Sequence, residues 1–286
     1  MASHSNTLPR AAWVLYAGLV GVLVLFSVPM RYGDMGHALI ALTGIAIITG
    51  ASLALGGSAL LHGSEETRRL AITGILLVAP WAVFAVMAGY GPPWTATGAQ
   101  NHLRYKGLLI NIVLVGGGLC MLKEVLAASG ERLWSAMGQI SALVGTLAYL
   151  VWGAVIMGAY LARDHARPGM IALEMSPLGP ASEILLFYGS LLTYLATAAF
   201  AISLHRLGWI GPRSARAYVA LSLVAVVALA ARGFEYPDAN EQWYLMPGFI
   251  VGIPAIPWIM PFLLGVLCLG SAAHRRREAV VHAAQA

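Results

Sequence analysis

The sequence predicts an all-α protein: a polytopic integral membrane helix bundle of about eight transmembrane helices, with both termini cytoplasmic. Of its 286 residues, 59% are hydrophobic, and the mean hydropathy is +0.77. Only 10% are Asp, Glu, Lys or Arg, whereas soluble domains carry about 25%. The apolar residues also come in long uninterrupted runs. These observations exclude a disordered chain and an ordinary soluble domain.

Eight apolar runs are long enough, or nearly so, to cross a bilayer core of about 30 Å as helices. Membrane-spanning strands are excluded because their residues alternate in polarity, whereas these runs are continuous. The first run is longer than the apolar region of a secretory signal peptide, about 7–15 residues, so it is interpreted as a transmembrane helix. The runs cover residues 11–30, 38–61, 70–90, 107–127, 133–162, 184–204, 217–231 and 248–273.

The basic residues predict the orientation. With eight spans, the side that holds both termini carries eleven of the 17 Lys and Arg residues, and the opposite side carries six. Since cytoplasmic connections are enriched in Lys and Arg, both termini are expected in the cytoplasm. We therefore expect a cytoplasmic tail over 1–10, one transmembrane domain over 11–273 and a basic cytoplasmic tail over 274–286. The expected location is an inner (plasma) membrane of the bacterial type.

The same composition argues against several partners and cofactors. The densest basic cluster, Arg275 to Arg277, directly follows the last apolar run, which is typical of a membrane protein and not of a nucleic-acid-binding one. Cys120 and Cys268 both lie in apolar runs and form no C-x-x-C pair, so neither an iron–sulfur cluster nor a structural zinc is expected. None of the eight histidines lies in the middle of a predicted span, which disfavours haem. No covalent or metal cofactor is expected; a quinone remains open.

One candidate site lies at the outer end of the seventh span. Arg232 and Glu235 are three residues apart, so on a continuing helix they share a face and can pair. Such a pair near the membrane surface can bind a polar headgroup or a quinone carbonyl, and Tyr236 can donate a hydrogen bond to the same group. The alternative is a structural ion pair that caps the helix.

A second candidate cluster, residues 101–106, precedes the fourth span on the same predicted outer face. His102 is suited to accept or release a proton during quinol oxidation, since histidine titrates near neutral pH. The alternative is a solvated loop histidine. Together with Arg104, the two clusters predict an outer-face pocket for a quinone or headgroup, formed by His102, Arg104, Arg232, Glu235 and Tyr236.

The last run contains residues that interrupt helices. Pro254, Pro257 and Pro261 each remove a backbone donor and can kink the span. Gly248 and Gly252, four residues apart, allow close approach of helix backbones. A kinked helix beside a cavity is a common arrangement at membrane sites; the alternative is that neighbouring helices satisfy the freed carbonyls.

Local patterns resemble two membrane protein families. The outline, together with Gly91-Pro92, Ser176 to Gly179 and Arg232 with Tyr236, resembles the membrane anchor subunits of bacterial dimethyl sulfoxide and polysulfide reductase-type oxidoreductases. That resemblance implies quinol binding near the outer face and a soluble redox partner. Ala228 stands where that family has an acidic residue, and the predicted cytoplasmic N-terminus also differs from it.

Arg232, Glu235 and Tyr236 are also similar to the R-x-x-E-Y pattern of the lipid-translocating exporter family. Asn240 and Glu241 replace the His-Glu that usually follows, and this chain has one predicted span more than that family. The resemblance implies lipid translocation.

Three functions remain open from the sequence. The first is a quinone-reactive membrane anchor of a respiratory oxidoreductase, with the bilayer and a soluble redox subunit as partners. The second is a transporter or translocator of a lipid or small apolar molecule. The third is an intramembrane enzyme that modifies a lipid or isoprenoid, with Glu235 or Asp238 as the general acid.

Overall fold

The computed structural model describes residues 9–27, 34–91, 96–165, 178–233 and 247–285, and within these ranges the chain forms helices and turns without a strand. The predicted all-α class is confirmed. The helices are α1 (Arg10–Ser27), α2 (Asp34–His62), α3 (Glu65–Val86), α4 (Gly98–Ala128), α5 (Leu133–His165), α6 (Leu178–Arg206), α7 (Pro212–Arg232), α8 (Pro247–Ile250) and α9 (Ile259–Gln285).

Six of the helices in the described ranges, α2 to α7, are long and apolar enough to cross a membrane, and α1 is a shorter apolar helix. Large hydrophobic side chains on these helices face outward: Leu42, Ile140 and Val224 are each more than 60% exposed. Exposed apolar surface of this extent is unfavourable in water and favourable in lipid. The chain is therefore a multi-pass membrane protein, whereas the count of eight spans and the side of the termini stay predictions.

The eighth predicted span is not one continuous helix. The short α8 is followed by turns over residues 251–258, and α9 begins only at Ile259. The backbone bonds in this segment connect residues three apart, for example Gly252 N–H to Phe249 O at 3.0 Å and Ile256 N–H to Ile253 O at 2.8 Å. The cause is local: proline at 254 and 257 supplies no N–H for a helical bond.

The contacts group the chain into two compact units. Unit 1 comprises the described residues of 1–96 together with 262–285, and unit 2 comprises those of 97–261. A single transmembrane domain over 11–273, with a tail on either side, stays a prediction. Residues 274–285 of the predicted C-terminal tail continue α9 as a helix.

Unit 1 contains α1, α2, α3 and most of α9; consecutive helices among the first three run antiparallel, so α1 and α3 run in the same direction. At one end, Gly89 N–H donates to Leu25 O at 3.0 Å, which joins the end of α3 to the end of α1. At the other end, Arg275 of α9 pairs with Glu66 at the start of α3. The start of α1 therefore lies at the same end of unit 1 as Arg275.

Helices α3 and α9 of unit 1 approach closely through glycine. A Cβ on Gly74 would lie 2.8 Å from Gly265 O, and a Cβ on Gly265 would lie 2.8 Å from Leu77 Cβ. No larger residue fits at either position without displacing backbone. Such small-residue contacts replace the hydrophobic driving force that is absent between helices in lipid.

Unit 2 contains α4 to α8, and α5 packs between α4 and α6. Contacts between α5 and α6 run in opposite order along the two helices: Glu131 meets Ser203 at one end, and Tyr149 meets Ser190 further along. The helices therefore alternate in direction. The starts of α4 and α6 and the ends of α5 and α7 lie at one end of unit 2, which we call the site end.

Candidate functional site

Three of the five residues predicted for the pocket lie in described parts of the chain, and all three are at the site end of unit 2. Arg232 is the last residue of α7, and His102 and Arg104 lie in the first turns of α4. Glu235 and Tyr236 lie outside the described residues. Their part in the pocket stays a prediction.

Helix α7 ends at Arg232, three residues before Glu235. Gly233 follows with φ +66° and donates its N–H to Leu229 O at 3.0 Å. A left-handed backbone is readily adopted only by glycine, so this residue terminates the helix. The expectation that Arg232 and Glu235 share one helical face therefore does not apply.

Arg232 pairs with Glu183, a residue outside the predicted pocket. Its Nη2 atom lies 2.7 Å from Oε2 of Glu183 on α6, and the two side chains are only 7% and 16% exposed. A buried pair of this kind is held by a short charge-assisted hydrogen bond. The sequence contains an indication of this pair. Glu183 is acidic and directly precedes the sixth predicted span, and this end of the span is predicted on the same outer face as Arg232.

The segment that includes α8 lies directly against the end of α7. The Arg232 guanidinium lies over the Phe249 ring, with Cζ 5.8 Å from the ring centroid. A Cβ on Gly248 would lie 2.5 Å from Ala228 O, and a Cβ on Gly252 would lie 3.2 Å from Nη1 of Arg232. Glycine at both positions lets the backbone reach the arginine, which fits the predicted role of this pair in close approach.

Two hydroxyl groups on α6 hold the carbonyls of the interrupted segment. Ser190 Oγ donates to Gly252 O at 3.1 Å, and Tyr194 Oη donates to Val251 O at 3.0 Å. Tyr149 Oη lies 2.9 Å from Ser190 Oγ. Since Ser190 uses its only proton toward Gly252, Tyr149 is the donor in this second bond. We call Tyr149, Ser190 and Tyr194 the hydroxyl clamp.

The hydroxyl clamp lies far from both ends of unit 2. Tyr149 is midway along α5, and Ser190 is near the middle of α6. Irregular backbone at membrane depth is stable only where its polar groups find partners. The hydroxyl clamp supplies hydrogen-bond partners for the carbonyls of Val251 and Gly252. This agrees with the alternative interpretation of the last apolar run, in which neighbouring helices satisfy the freed carbonyls.

A chain of edge-to-face aromatic rings connects the interrupted segment to α4. Trp258 contacts Tyr149 at a centroid distance of 5.6 Å, Tyr149 contacts Trp152 at 6.3 Å, and Trp152 contacts Tyr105 at 6.1 Å. Such ring pairs favour these T-shaped geometries. Tyr105 directly follows Arg104, so the rings join the interrupted segment to the cluster at the start of α4.

The α4 cluster is helical and largely buried. Thr97 caps the helix, because its Oγ1 accepts the Gln100 N–H at 3.3 Å while Gln100 Oε1 accepts the Thr97 N–H at 2.9 Å. This capping box starts α4 nine residues ahead of the predicted span at 107. His102 is half-buried within the helix, so it does not lie in a loop as the alternative supposed.

Arg104 is a buried cation near the start of α4. It is 3% exposed, and its Nη1 donates to Oδ1 of Asn101 at 2.9 Å; Asn101 is equally buried. Buried arginines in membrane proteins mark candidate functional positions. Whether the α4 cluster and Arg232 together form one ligand pocket stays a prediction.

No group of three or more His, Cys, Asp or Glu residues is arranged to hold a metal ion within the parts of the chain that the structure describes. Cys120 and Cys268 are free thiols. Neither observation tests the cofactor prediction.

Comparison of the chain with protein-family models, with curated proteins and with solved structures finds no match.

Proposed function

We propose that the protein translocates a lipid or a small apolar molecule across the membrane, and that the ligand passes the interrupted segment over residues 251–258. The observation that carries the proposal is the position of this break beside the middle of α5 and α6. Discontinuous helices near the middle of the membrane are typical of transporter binding sites.

The chemistry around the break suits a ligand with an apolar body and a polar head. The rings of Tyr149, Trp152 and Trp258 offer apolar contact, and the hydroxyl clamp offers donors and acceptors. Each hydroxyl can rotate to exchange a backbone carbonyl for a ligand oxygen, because it stands on a rotatable bond.

We also propose eight membrane crossings with both termini in the cytoplasm of an inner (plasma) membrane. The two crossings beyond α2 to α7 are α1 and the interrupted segment that runs from α8 into α9. The start of α1 and Arg275 lie at the same end of unit 1, which supports an even number of crossings. The basic residues at that end support its cytoplasmic side.

Flux in proteoliposomes that contain only the purified chain tests the translocation proposal. We use nitrobenzoxadiazole-labelled phosphatidylethanolamine and measure how much label an external reductant quenches. We expect transfer above that of empty vesicles, and a change of severalfold in Ser190→Ala and Tyr194→Phe. Thr197→Val is the matched control, since Thr197 is equally buried on α6 and donates only a bond within its own helix, to Thr193 O.

Transfer equal to that of empty vesicles for this probe and for a labelled isoprenoid would overturn the translocation proposal. Equal rates in the Ser190, Tyr194 and Thr197 variants would show that any transfer takes another path.

A quinone-reactive membrane anchor is the second candidate, because a buried arginine stands beside an aromatic ring at the site end. Arg232 next to Phe249 is suited to a quinone carbonyl and ring, with His102 and Arg104 at the same end of unit 2. The resemblance to reductase anchor subunits favours the same function and implies a soluble redox subunit. The Arg232–Glu183 pair weakens it, since Glu183 already neutralises the cation.

Extraction in mild detergent tests the anchor function. We expect bound quinone and a copurifying iron–sulfur subunit, with the quinone content reduced in His102→Gln. It should be unchanged in the control Gln139→Asn, because Gln139 is half-buried near the start of α5, at the end of unit 2 opposite the site end. A preparation without quinone and without a redox partner would exclude this candidate. The enzyme alternative depends on Glu235 and Asp238, which lie outside the described residues, and stays a prediction.

A further inference from the structure

One end of unit 1 carries a concentration of arginine that folding assembles from three distant parts of the sequence. Pairing of Arg275 with Glu66 brings the end of the apolar part of α9 to the start of α3. The ends of α1 and α3 also meet, so the first residue of α1 lies at the same end as the start of α3. We call this surface the basic end of unit 1; it comprises Arg10, Arg68, Arg69, Arg275, Arg276 and Arg277.

Acidic neighbours compensate only part of this charge. Glu65 pairs with Arg69 at 2.8 Å and with Arg68 at 3.9 Å, and Glu66 pairs with Arg275. The third carboxylate, Glu278, lies 3.2 Å from His274. Six arginines therefore face three glutamates, and the basic end retains an excess of three positive charges.

The basic end coincides with the ends of apolar segments. Helix α2 ends at His62, α3 begins at Glu65, and the apolar part of α9 ends at Ala273, directly before the charged residues. In a multi-pass membrane protein this level is that of the lipid headgroups. Arg277 and the residues after it are exposed, so this surface is open to groups at that level.

We propose that the basic end of unit 1 binds the phosphate headgroups of anionic phospholipids. The charge excess and its level at the headgroups argue for this partner, because guanidinium groups form paired hydrogen bonds with phosphate. Each basic residue near an anionic membrane surface strengthens binding roughly fivefold. The proposal does not depend on translocation or on quinone binding.

The test measures thermal unfolding of the full-length protein in neutral detergent during titration with dioctanoyl phosphatidylglycerol. Parallel titrations use dioctanoyl phosphatidylcholine and inorganic phosphate. We expect phosphatidylglycerol alone to raise the midpoint, and its apparent affinity to fall about 10- to 30-fold in Arg276→Gln/Arg277→Gln. The control Arg213→Gln/Arg216→Gln removes the same charge from exposed positions at the start of α7 and should stay within about twofold of the wild type.

Three results would overturn the proposal. Equal stabilisation by phosphatidylcholine would show that the charge has no part in binding. An equal shift with inorganic phosphate would show a site for a free anion rather than a lipid. Equal losses in the two double variants would show an effect of total charge and not of this surface. Arg213, Arg216 and Arg277 are exposed and Arg276 is half-buried, and the unfolding midpoint of each variant without lipid shows whether it has folded.

Discussion

At the scale of single residues, the buried pair of Arg232 and Glu183 joins the end of α7 to the start of α6. Both charges are removed from solvent and face each other at 2.7 Å. Removal of one partner of such a pair leaves an uncompensated buried charge, which is far more destabilising than the loss of an exposed pair.

We expect Glu183→Gln to lower the free energy of unfolding by about 3 kcal/mol, the lower part of the range for breaking a buried ion pair. Denaturant-induced unfolding in detergent micelles measures it. Glu65→Gln is the matched control, because Glu65 is 65% exposed and pairs with Arg68 and Arg69 at the surface; we expect less than about 1 kcal/mol. Equal effects of the two substitutions would contradict a buried role for the pair.

Glu131 gives the second residue-scale prediction, because it joins α5 and α6 at the end of unit 2 opposite the site end. Its carboxylate accepts the N–H groups of Trp134 at 3.1 Å and Ser135 at 3.0 Å, and the Ser203 hydroxyl at 2.5 Å. Burial raises the pKa of Glu131, but the bonds from Ser203, Trp134 and Ser135, with the charge of Arg206, lower that pKa below its ordinary value overall.

A carboxylate with a lowered pKa stabilises the fold above its ordinary pKa of about 4.3, and this stabilisation is lost as the pH falls through the folded-state value. We expect Glu131→Gln to reduce the free energy of unfolding at pH 7 by about 1–2 kcal/mol, as for loss of a helix cap. The difference between variant and wild type should shrink below pH 4. A difference that stays constant from pH 7 to pH 3 would contradict this role.

At the scale of elements, the interrupted segment is the feature that distinguishes the last apolar run from the others. Its position follows from Pro254 and Pro257. Hydroxyl groups on α6 stabilise it, because they donate to the carbonyls of Val251 and Gly252 at the start of the segment. The prolines in the sequence predicted where the last apolar run departs from a regular helix. The donors came from helices that are distant in the chain, and no sequence pattern identified them.

We expect Gly248→Ala to destabilise the protein by about 1–3 kcal/mol, because the added Cβ would meet the carbonyl oxygen of Ala228 at 2.5 Å and displace α8 from α7. Thermal unfolding in detergent measures this. Gly117→Ala is the control, since nothing lies within 4 Å of its added Cβ, and alanine in a helix should stabilise slightly. Similar midpoints for the two variants would show that α8 does not pack as described.

At the scale of the whole molecule, the expected arrangement of the chain across the membrane rests on an even number of crossings. The composition of α2 to α7 indicates six helices that can span, and the two remaining crossings need α1 and the segment from α8 into α9. With that count, the eleven-to-six division of basic residues predicts that the termini are cytoplasmic.

Single cysteines introduced after removal of Cys120 and Cys268 test this topology with a membrane-impermeant thiol reagent on intact cells. We expect Thr97→Cys, an exposed position at the site end, to react from outside. Ala128→Cys and Ala283→Cys are also exposed and should react only after the membrane is opened. Labelling of positions 97 and 128 from the same side would contradict a crossing by α4.

The amino-acid sequence by itself determined the helical class, the membrane character and the approximate positions of the spans, because each depends on composition and on the length of apolar runs. It also located His102, Arg104 and Arg232 as costly polar groups. Only the tertiary structure decided that Glu183 is the partner of Arg232, and that Ser190 and Tyr194 support the broken segment. These contacts join residues about 50 positions or more apart, and local patterns carry no information on pairing at that range.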